Sequence, residues 1–466
     1  MKEKAALLKT RPATQLVIVF LFLVIILIVA VNSIVHDPIV GYDADAHLDY
    51  LAVVSDHLPS EIESGEFFSP PLPYYMPGLV YQACIAYTVT APRLCKNFGG
   101  HFAKGINFLL AIGIILLLVK IANLIKPKNK YFVISTLIFL GGLTVFYKTF
   151  AQVRGEPYVA FFTLLVAFLA LQMYKDRSKF NWKYASWLGV SLGLLVLSRQ
   201  WGFFLYPAVF LLLLVGRRES MPFSKRFATI ILTFSLAAII GGWFYFYLYL
   251  EFGSFTAFNV DAQAFSFVNQ PLSFYRNTGF RDFLLFKSPI RKTFDNQFFP
   301  VFYSEIWGDY WGFFTFIREK STLYSIYANR EQITPYLGRV NFVSLFPSIF
   351  LLGGFVLGAR RFFQAFRRKM YAINIIAFAF FFVAIMVSSL GYAWFLIKYP
   401  VIPKGATIKA TYMIQIFVLL PFLAAELLEL IRARNLKLYY LSLALLGCVF
   451  LHNLPAMISR YWWWLR

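Results

Sequence analysis

Apolar runs near 20 residues, the length a helix needs to cross the hydrocarbon of a bilayer, recur along the whole chain. They fall at Leu16–Val35, Phe102–Ile125, Tyr131–Phe150, Pro157–Met173, Tyr184–Leu197, Phe203–Val215, Phe227–Leu250, Phe342–Leu357, Ile373–Ile397, Ile408–Leu430 and Leu438–Ile458. Inside a bilayer each backbone amide must find its partner within the protein, so runs of this kind fold as helices. The expectation is an all-α polytopic membrane protein with about 11 crossings. Composition agrees, with 59% of the 466 residues hydrophobic and 14% charged, where soluble domains carry about 25% charged residues.

A net charge of +22 does not point to nucleic acid here. The Lys and Arg residues sit in patches between apolar runs: Lys2–Arg11, Lys126–Lys130, Lys175–Lys183, Arg217–Arg226, Arg360–Lys369 and Arg432–Lys437. Cytoplasmic loops retain positive charge in this way. The first apolar run is too long for a signal-peptide core and no small-residue cleavage site follows it, so it reads as a retained span with the N-terminus cytoplasmic. With every basic patch inside, alternation works when Leu72–Thr90 lies at the interface or re-enters; Pro73, Pro77 and Gly78 interrupt it.

The chain then divides into a cytoplasmic tail with the first span (1–35), an acidic extracytoplasmic first loop (36–101), a transmembrane core (102–250), a large extracytoplasmic loop (251–340) and C-terminal spans (341–466). The sequence ends in ISRYWWWLR, an aromatic and basic anchor for the outer interface. The cysteines, Cys84, Cys95 and Cys448, are odd in number and lack metal-ligand spacing. A Cys84–Cys95 bridge is open, but the expectation is neither a disulfide nor a structural zinc.

The first loop is an anomaly in so basic a chain. From Gly41 to Gly78 it carries Asp43, Asp45, Asp49, Asp56, Glu61, Glu63 and Glu66 without a Lys or Arg, then a Pro70–Tyr75 run. Leu48, Leu51, Ala52 and Leu58 share one helical stripe, which predicts an amphipathic surface helix over 45–58. Paired carboxylates just outside a span can deprotonate a hydroxyl or hold a divalent metal; an Asp here can equally cap the following helix. His47, four residues after Asp43, can face it across one helical turn. At the outer ends of other spans stand Arg154, Arg199, Lys404 and Lys409, suited to a phosphate near the membrane surface, or simply snorkelling to headgroups. In Tyr303–Gly312, aromatic faces beside Glu305 and Asp309 suit a sugar; the alternative is a packed aromatic turn with Asp309 bonded locally.

These residues carry a family resemblance. YDADAHLDYL followed by PSEIESGEFFSPPLPYYMPG resembles the first extracytoplasmic loop of the GT-C glycosyltransferase superfamily, which includes protein O-mannosyltransferases and aminoarabinose transferases. VRGEPYVAFFTLL, LGVSLGLLVLSRQWGFFLYPAVFLLLL and KGATIKATYMIQIFVLLPFLA are similar to elements of its core and late spans, over about Leu16–Glu426. The chain departs from the family in its acid pair, where Ala44 separates Asp43 from Asp45; which of the two is the base stays open, and Asp43 lies nearer the membrane.

The resemblance implies a GT-C-type bundle with two extracytoplasmic loop regions. It also implies an enzyme of the plasma (inner) membrane, or of the endoplasmic reticulum in a eukaryote, with its site extracytoplasmic. The donor would be a sugar on polyprenyl phosphate, undecaprenyl phosphate in a bacterial cell envelope, and the acceptor a glycan, lipid or protein. Asp43 or Asp45 would be the general base of an inverting hexosyl or pentosyl transfer. Arg154, Arg199, Lys404 and Lys409 would hold the donor phosphate, and His47, Tyr74, Tyr75, Glu156, Glu305, Asp309 and Tyr412 would contact substrate. No cofactor is required, although Asp43 and Asp45 can hold Mg or Mn. Two other readings are a lipid-linked-sugar flippase, which would place charges along a path inside the spans, and an O-antigen polymerase or ligase, which needs no early Asp-x-Asp.

Overall fold

The structure, a computed structural model, describes residues 2–88, 91–176, 181–214, 222–316 and 330–461. The patches Lys175–Lys183 and Arg217–Arg226 lie partly outside these residues, and the terminal run from Trp462 wholly so. Among the described residues all regular structure is helical. The helices are α1 (Lys2–Val35), α2 (Ala44–Val53), α3 (Leu72–Thr88), α4 (Pro92–Ile125), α5 (Lys130–Gly141), α6 (Thr144–Ala151), α7 (Glu156–Lys175), α8 (Trp182–Ser198), α9 (Tyr206–Leu214) and α10 (Phe223–Phe252). There follow α11 (Leu272–Arg276), α12 (Leu284–Lys287), α13 (Phe298–Trp307), α14 (Arg330–Val343), α15 (Leu345–Arg367), α16 (Ile373–Lys398), α17 (Ile414–Arg434) and α18 (Leu436–Asn453).

Eight helices of the described residues are long and apolar enough to cross a membrane, or up to nine if α5 and α6, bent by 63° to each other, form one span. The remaining expected spans fall on α8, a helix of 17 residues, and on the shorter apolar stretch Gln200–Leu214, which a 3-10 turn opens. Local chemistry sets the helix starts. Asn129, Asn181 and Asn435 accept a backbone N–H at the heads of α5, α8 and α18, and Pro stands in the first turn of α4 and α7, where no amide partner is lost. The Pro70–Pro73 run likewise leads into α3, with Tyr74 N–H on the Pro71 carbonyl. Helix α2 is shorter than the stripe predicts; it stops at Val53, burying His47, Leu48, Tyr50 and Leu51.

Helix α3 pairs with the first part of α4. Gly99 of α4 sits against Leu51 of α2 and the Pro77 carbonyl of α3, and further on Lys104 donates to the His36 carbonyl just past α1. The absence of a disulfide expected from the sequence is corrected here: Cys84 and Cys95 are bonded and staple the α3–α4 hairpin. Odd cysteine number had argued against a bridge, but Cys448 is the residue left over, exposed on α18. At the other end of α4, Lys126 and Arg361 both pair with the nearly buried Glu426 of α17.

Helices α8 and α10 approach through small residues spaced four apart, which let backbones close in where lipid supplies no hydrophobic drive. A side chain at Gly189 would strike the Thr233 carbonyl at 2.5 Å, and one at Gly193 the Ile240 Cβ at 2.7 Å. Gly242, by contrast, faces open space. Gly193→Leu is therefore expected to lower the thermal unfolding midpoint of the detergent-purified protein, by an overpacking cost of about 1–3 kcal/mol. Gly242→Ala should hold or raise that midpoint, since Ala is the better helix former; equal losses in both would remove the close approach as the cause.

Candidate functional site

Five pieces of chain meet past the end of α1: the first loop, the α6–α7 turn (152–155), Arg199 at the end of α8, the 3-10 turn Ala410–Met413 before α17, and α13. Asp43 occupies the N-cap position of α2 with left-handed backbone, φ 55°, and its side chain caps nothing. The capping alternative thus does not hold at Asp43, whose Oδ2 instead lies 2.5 Å from Lys409 Nζ. The two side chains are 44% and 9% exposed, so the pair opens to solvent on the carboxylate side. The Lys409 ammonium holds the Asp43 carboxyl well below the usual carboxylate range, against the upward push of burial. Asp45, in the first turn of α2, is exposed.

Behind Asp43 runs a buried chain of alternating charge. Arg154 is bidentate on Glu156, with Nε–Oε2 2.6 Å and Nη2–Oε1 3.0 Å. Arg199 Nε lies 3.4 Å from Glu156 Oε1, and its Nη1 donates to Glu66 at 2.7 Å and to Ser69. Glu66 approaches His47 Nδ1 at 3.9 Å, and the same nitrogen is 2.8 Å from the Tyr74 hydroxyl. Each member is at most 2% exposed. A charge moved out of water is tolerated only when paired with good geometry, and here every charge has its partner. Gly155 makes the junction possible: it has no side chain where the Ser198 carbonyl would lie 2.1 Å from one, so the Arg154–Glu156 turn closes on Arg199. His47 itself turns to Tyr74 and Glu66, and meets Asp43 through its backbone N–H on the Asp43 carbonyl.

A second buried group flanks the first. Lys148 Nζ is 3.0 Å from Glu305, both fully buried. Glu305 also accepts from the Tyr42 hydroxyl and from Trp311 N–H at 3.1 Å. The Tyr42 ring, next to Asp43 in sequence, faces the Arg154 guanidinium at 5.6 Å and the Lys409 ammonium at 5.2 Å, and Tyr412 faces the same two cations from 5.3 and 5.2 Å. Asp309 is buried and accepts from the amides of Phe314 and Thr315 at 3.0 and 2.8 Å, the local turn bonding set out above as its alternative. Tyr75 and Lys404 are exposed.

Of the residues singled out in the sequence, the structure brings together Asp43, His47, Tyr74, Arg154, Glu156, Arg199, Glu305, Lys409 and Tyr412, and it adds to the cluster Tyr42, Glu66 and Lys148, which were not among the candidate site residues. Glu66 was visible as one acid among many, but its partner Arg199 is 133 residues away. Lys148, inside an apolar run, was a signal passed over, since a cation there needs a partner. The Lys409 ammonium already lies against the Asp43 carboxylate, where a metal would bind, and among the described residues no three His, Cys, Asp or Glu side chains are grouped so as to hold a metal ion.

No protein-family model matches the sequence, and no curated protein matches it. Among solved structures the chain is similar to the oligosaccharyltransferase of Archaeoglobus fulgidus. To the complex with Zn and sulfate it is 12% identical, with TM-score 0.42, covering 94% of this chain and 53% of that one. To the apo form it is 13% identical, with TM-score 0.45 and coverage of 95% and 56%. To archaeal AglB in complex with an inhibitory peptide and a dolichol-phosphate it is 12% identical, with TM-score 0.44 and coverage of 95% and 56%. The chain spans about half the length of these proteins. At such low similarity the chemistry of the site has to be read from its own residues.

Burial pushes the His47 imidazole down from 6.5 to about 4, opposed by the Glu66 carboxylate and aided by Arg199. Between those values the unfolded chain binds a proton that the folded chain refuses, so stability falls as pH drops through this window, by up to about 1.4 kcal/mol per pH unit. Thermal unfolding in detergent from pH 7 to pH 4.5 is expected to show a shallower decline for His47→Gln than for wild type. Parallel slopes would mean that His47 is charged in the folded protein.

Proposed function

We propose that this chain is a GT-C-type membrane glycosyltransferase that moves a sugar from a polyprenyl-phosphate donor to an acceptor hydroxyl on the extracytoplasmic face. The observation that carries the reading is the half-exposed Asp43 carboxylate beside Lys409, at the mouth of a buried charge network. Asp43 is the general base: it takes the proton of the acceptor hydroxyl as that oxygen attacks the anomeric carbon from the side opposite the phosphate, which inverts the centre. The leaving polyprenyl phosphate gathers negative charge, and Lys409 supplies positive charge at that place. Arg154 and Arg199 are paired with Glu156 and Glu66, so in this scheme they fix the geometry of the mouth and add their field, and direct phosphate contact falls to Lys409, with the exposed Lys404 as a second cation for the phosphate. In the same scheme Asp45, exposed in the first turn of α2, orients the acceptor, and the exposed Tyr75 contacts donor or acceptor.

The Cys84–Cys95 bond supports the orientation, because disulfides persist in oxidising compartments. The first loop is then extracytoplasmic and the N-terminus cytoplasmic, in agreement with the basic patches. Charges gathered at the span ends also favour an enzyme over a flippase, which would place charges along a path inside the spans.

The test uses the protein in nanodiscs with a panel of radiolabelled polyprenyl-phosphate sugars, following release of polyprenyl phosphate. Asp43→Asn is expected to reduce turnover by about 100-fold or more at unchanged unfolding temperature, and Asp45→Asn by much less. Full turnover in Asp43→Asn would take the first loop out of the chemistry, and loss in Asp45→Asn alone would transfer the role of base to Asp45.

A further inference from the structure

The cations around the mouth are held in different ways. Arg154 has two bonds to Glu156 and a third to Gln152 at 3.2 Å. Arg199 bridges Glu66 and Glu156. Lys148 and Glu305 are both sealed from solvent. Lys409 is paired with a carboxylate that is 44% exposed; among the described residues its ammonium also donates to the Tyr412 hydroxyl at 3.2 Å. Between the Tyr42 and Tyr412 rings, each 5.2 Å from its ammonium, the charge is welcome wherever its counter-ion stands, because ring faces attract a cation irrespective of partner. A lysine ammonium is a point charge on a flexible stem, without the fixed fork that ties an arginine to one carboxylate.

We propose that Lys409 is an exchangeable cation that covers Asp43 in the empty protein and passes to the donor phosphate when the lipid binds. This rests on the donor reading above and adds to it a compulsory order. Until the phosphate draws the ammonium off, a positive charge 2.5 Å from Oδ2 opposes protonation of the Asp43 carboxylate, so the acceptor's proton is taken only after the donor is bound. Asp43 and the phosphate are therefore competitors for one ammonium, and removing the acid makes the site bind the anion better. A residue with only a structural role would, on substitution, leave binding unchanged or weaken it.

The experiment is a double-mutant cycle read as binding of sugar-free polyprenyl phosphate to the protein in nanodiscs. Tryptophan fluorescence reports it, because Trp201 lies 5.1 Å from Tyr412. Asp43→Asn is expected to tighten binding by about fivefold, the scale of a partly exposed ion pair. Lys409→Gln should weaken it by about tenfold or more, and the double variant should match Lys409→Gln, because the acid acts only through the lysine. Lys409→Arg keeps the charge, serves if Lys409→Gln is unstable, and should bind the lipid and still respond to Asp43→Asn. Equal tightening by Asp43→Asn with and without Lys409, or no tightening at all, overturns the exchange while leaving the donor reading intact. A wild-type protein that does not bind polyprenyl phosphate overturns the donor reading, and the exchange with it.

Discussion

The buried chain Glu66–Arg199–Glu156–Arg154 is the constraint on which the rest of the site depends. It joins the first loop to the head of α7 and the tail of α8, two helix ends that already pack on each other. Such a network is not a simple source of stability, since taking four charges out of water offsets most of their attraction. Its effect is to forbid alternatives. Any arrangement that separates Glu66 from Arg199 leaves a charge buried without a partner, at about 3–5 kcal/mol. The stretch between α1 and α3 is thereby held to one position, although α2 is the one helix it contains.

Upon that anchor the mouth is assembled from aromatic and ionic contacts that share members. Tyr42 touches both systems: its ring faces Arg154 and Lys409, and its hydroxyl reaches Glu305 of α13. The large segment after α10 is thus coupled to the first loop through a side chain adjacent to Asp43, as it is through Asn259 on the Gly65 carbonyl and Phe258 against Phe68. The left-handed backbone at Asp43 sits between this tether and the start of α2, a conformation Asp accepts more readily than most residues. It leaves the carboxylate off the helix amides and free to meet Lys409.

The glycines act in the same sense. Gly155 allows the α6–α7 turn to close on Ser198 and so sets Glu156 beside Arg199, while Gly189 and Gly193 seat α8 on α10. Together with the Cys84–Cys95 staple on the α3–α4 hairpin, they make a rigid frame whose polar members are nearly all committed to one another. Lys409, buried behind an Asp43 carboxylate that faces solvent, forms with it the pair left with room to change partners.

Much of this was legible in the chain itself. Apolar runs near 20 residues dictate helices because a bilayer leaves backbone groups no other partner, and the acid-rich first loop stands out against the basic chain without any structure. Asp43, Arg154, Arg199 and Lys409 could be picked out because ionisable residues at span ends need a reason to be there. Which charge answers which was not legible. Arg154 and Arg199 read as phosphate ligands by type, yet each is taken by a carboxylate; the Glu66–Arg199 pair is 133 residues apart and Lys409–Asp43 is 366 apart. Helix formation is decided by a residue's neighbours in sequence, whereas the pairing of charges is decided by which helix ends the packing brings together. The sequence alone determined that this chain is a bundle of membrane helices with an acidic loop at one end. Only the tertiary structure decided which of its charges are locked and which one is left to exchange.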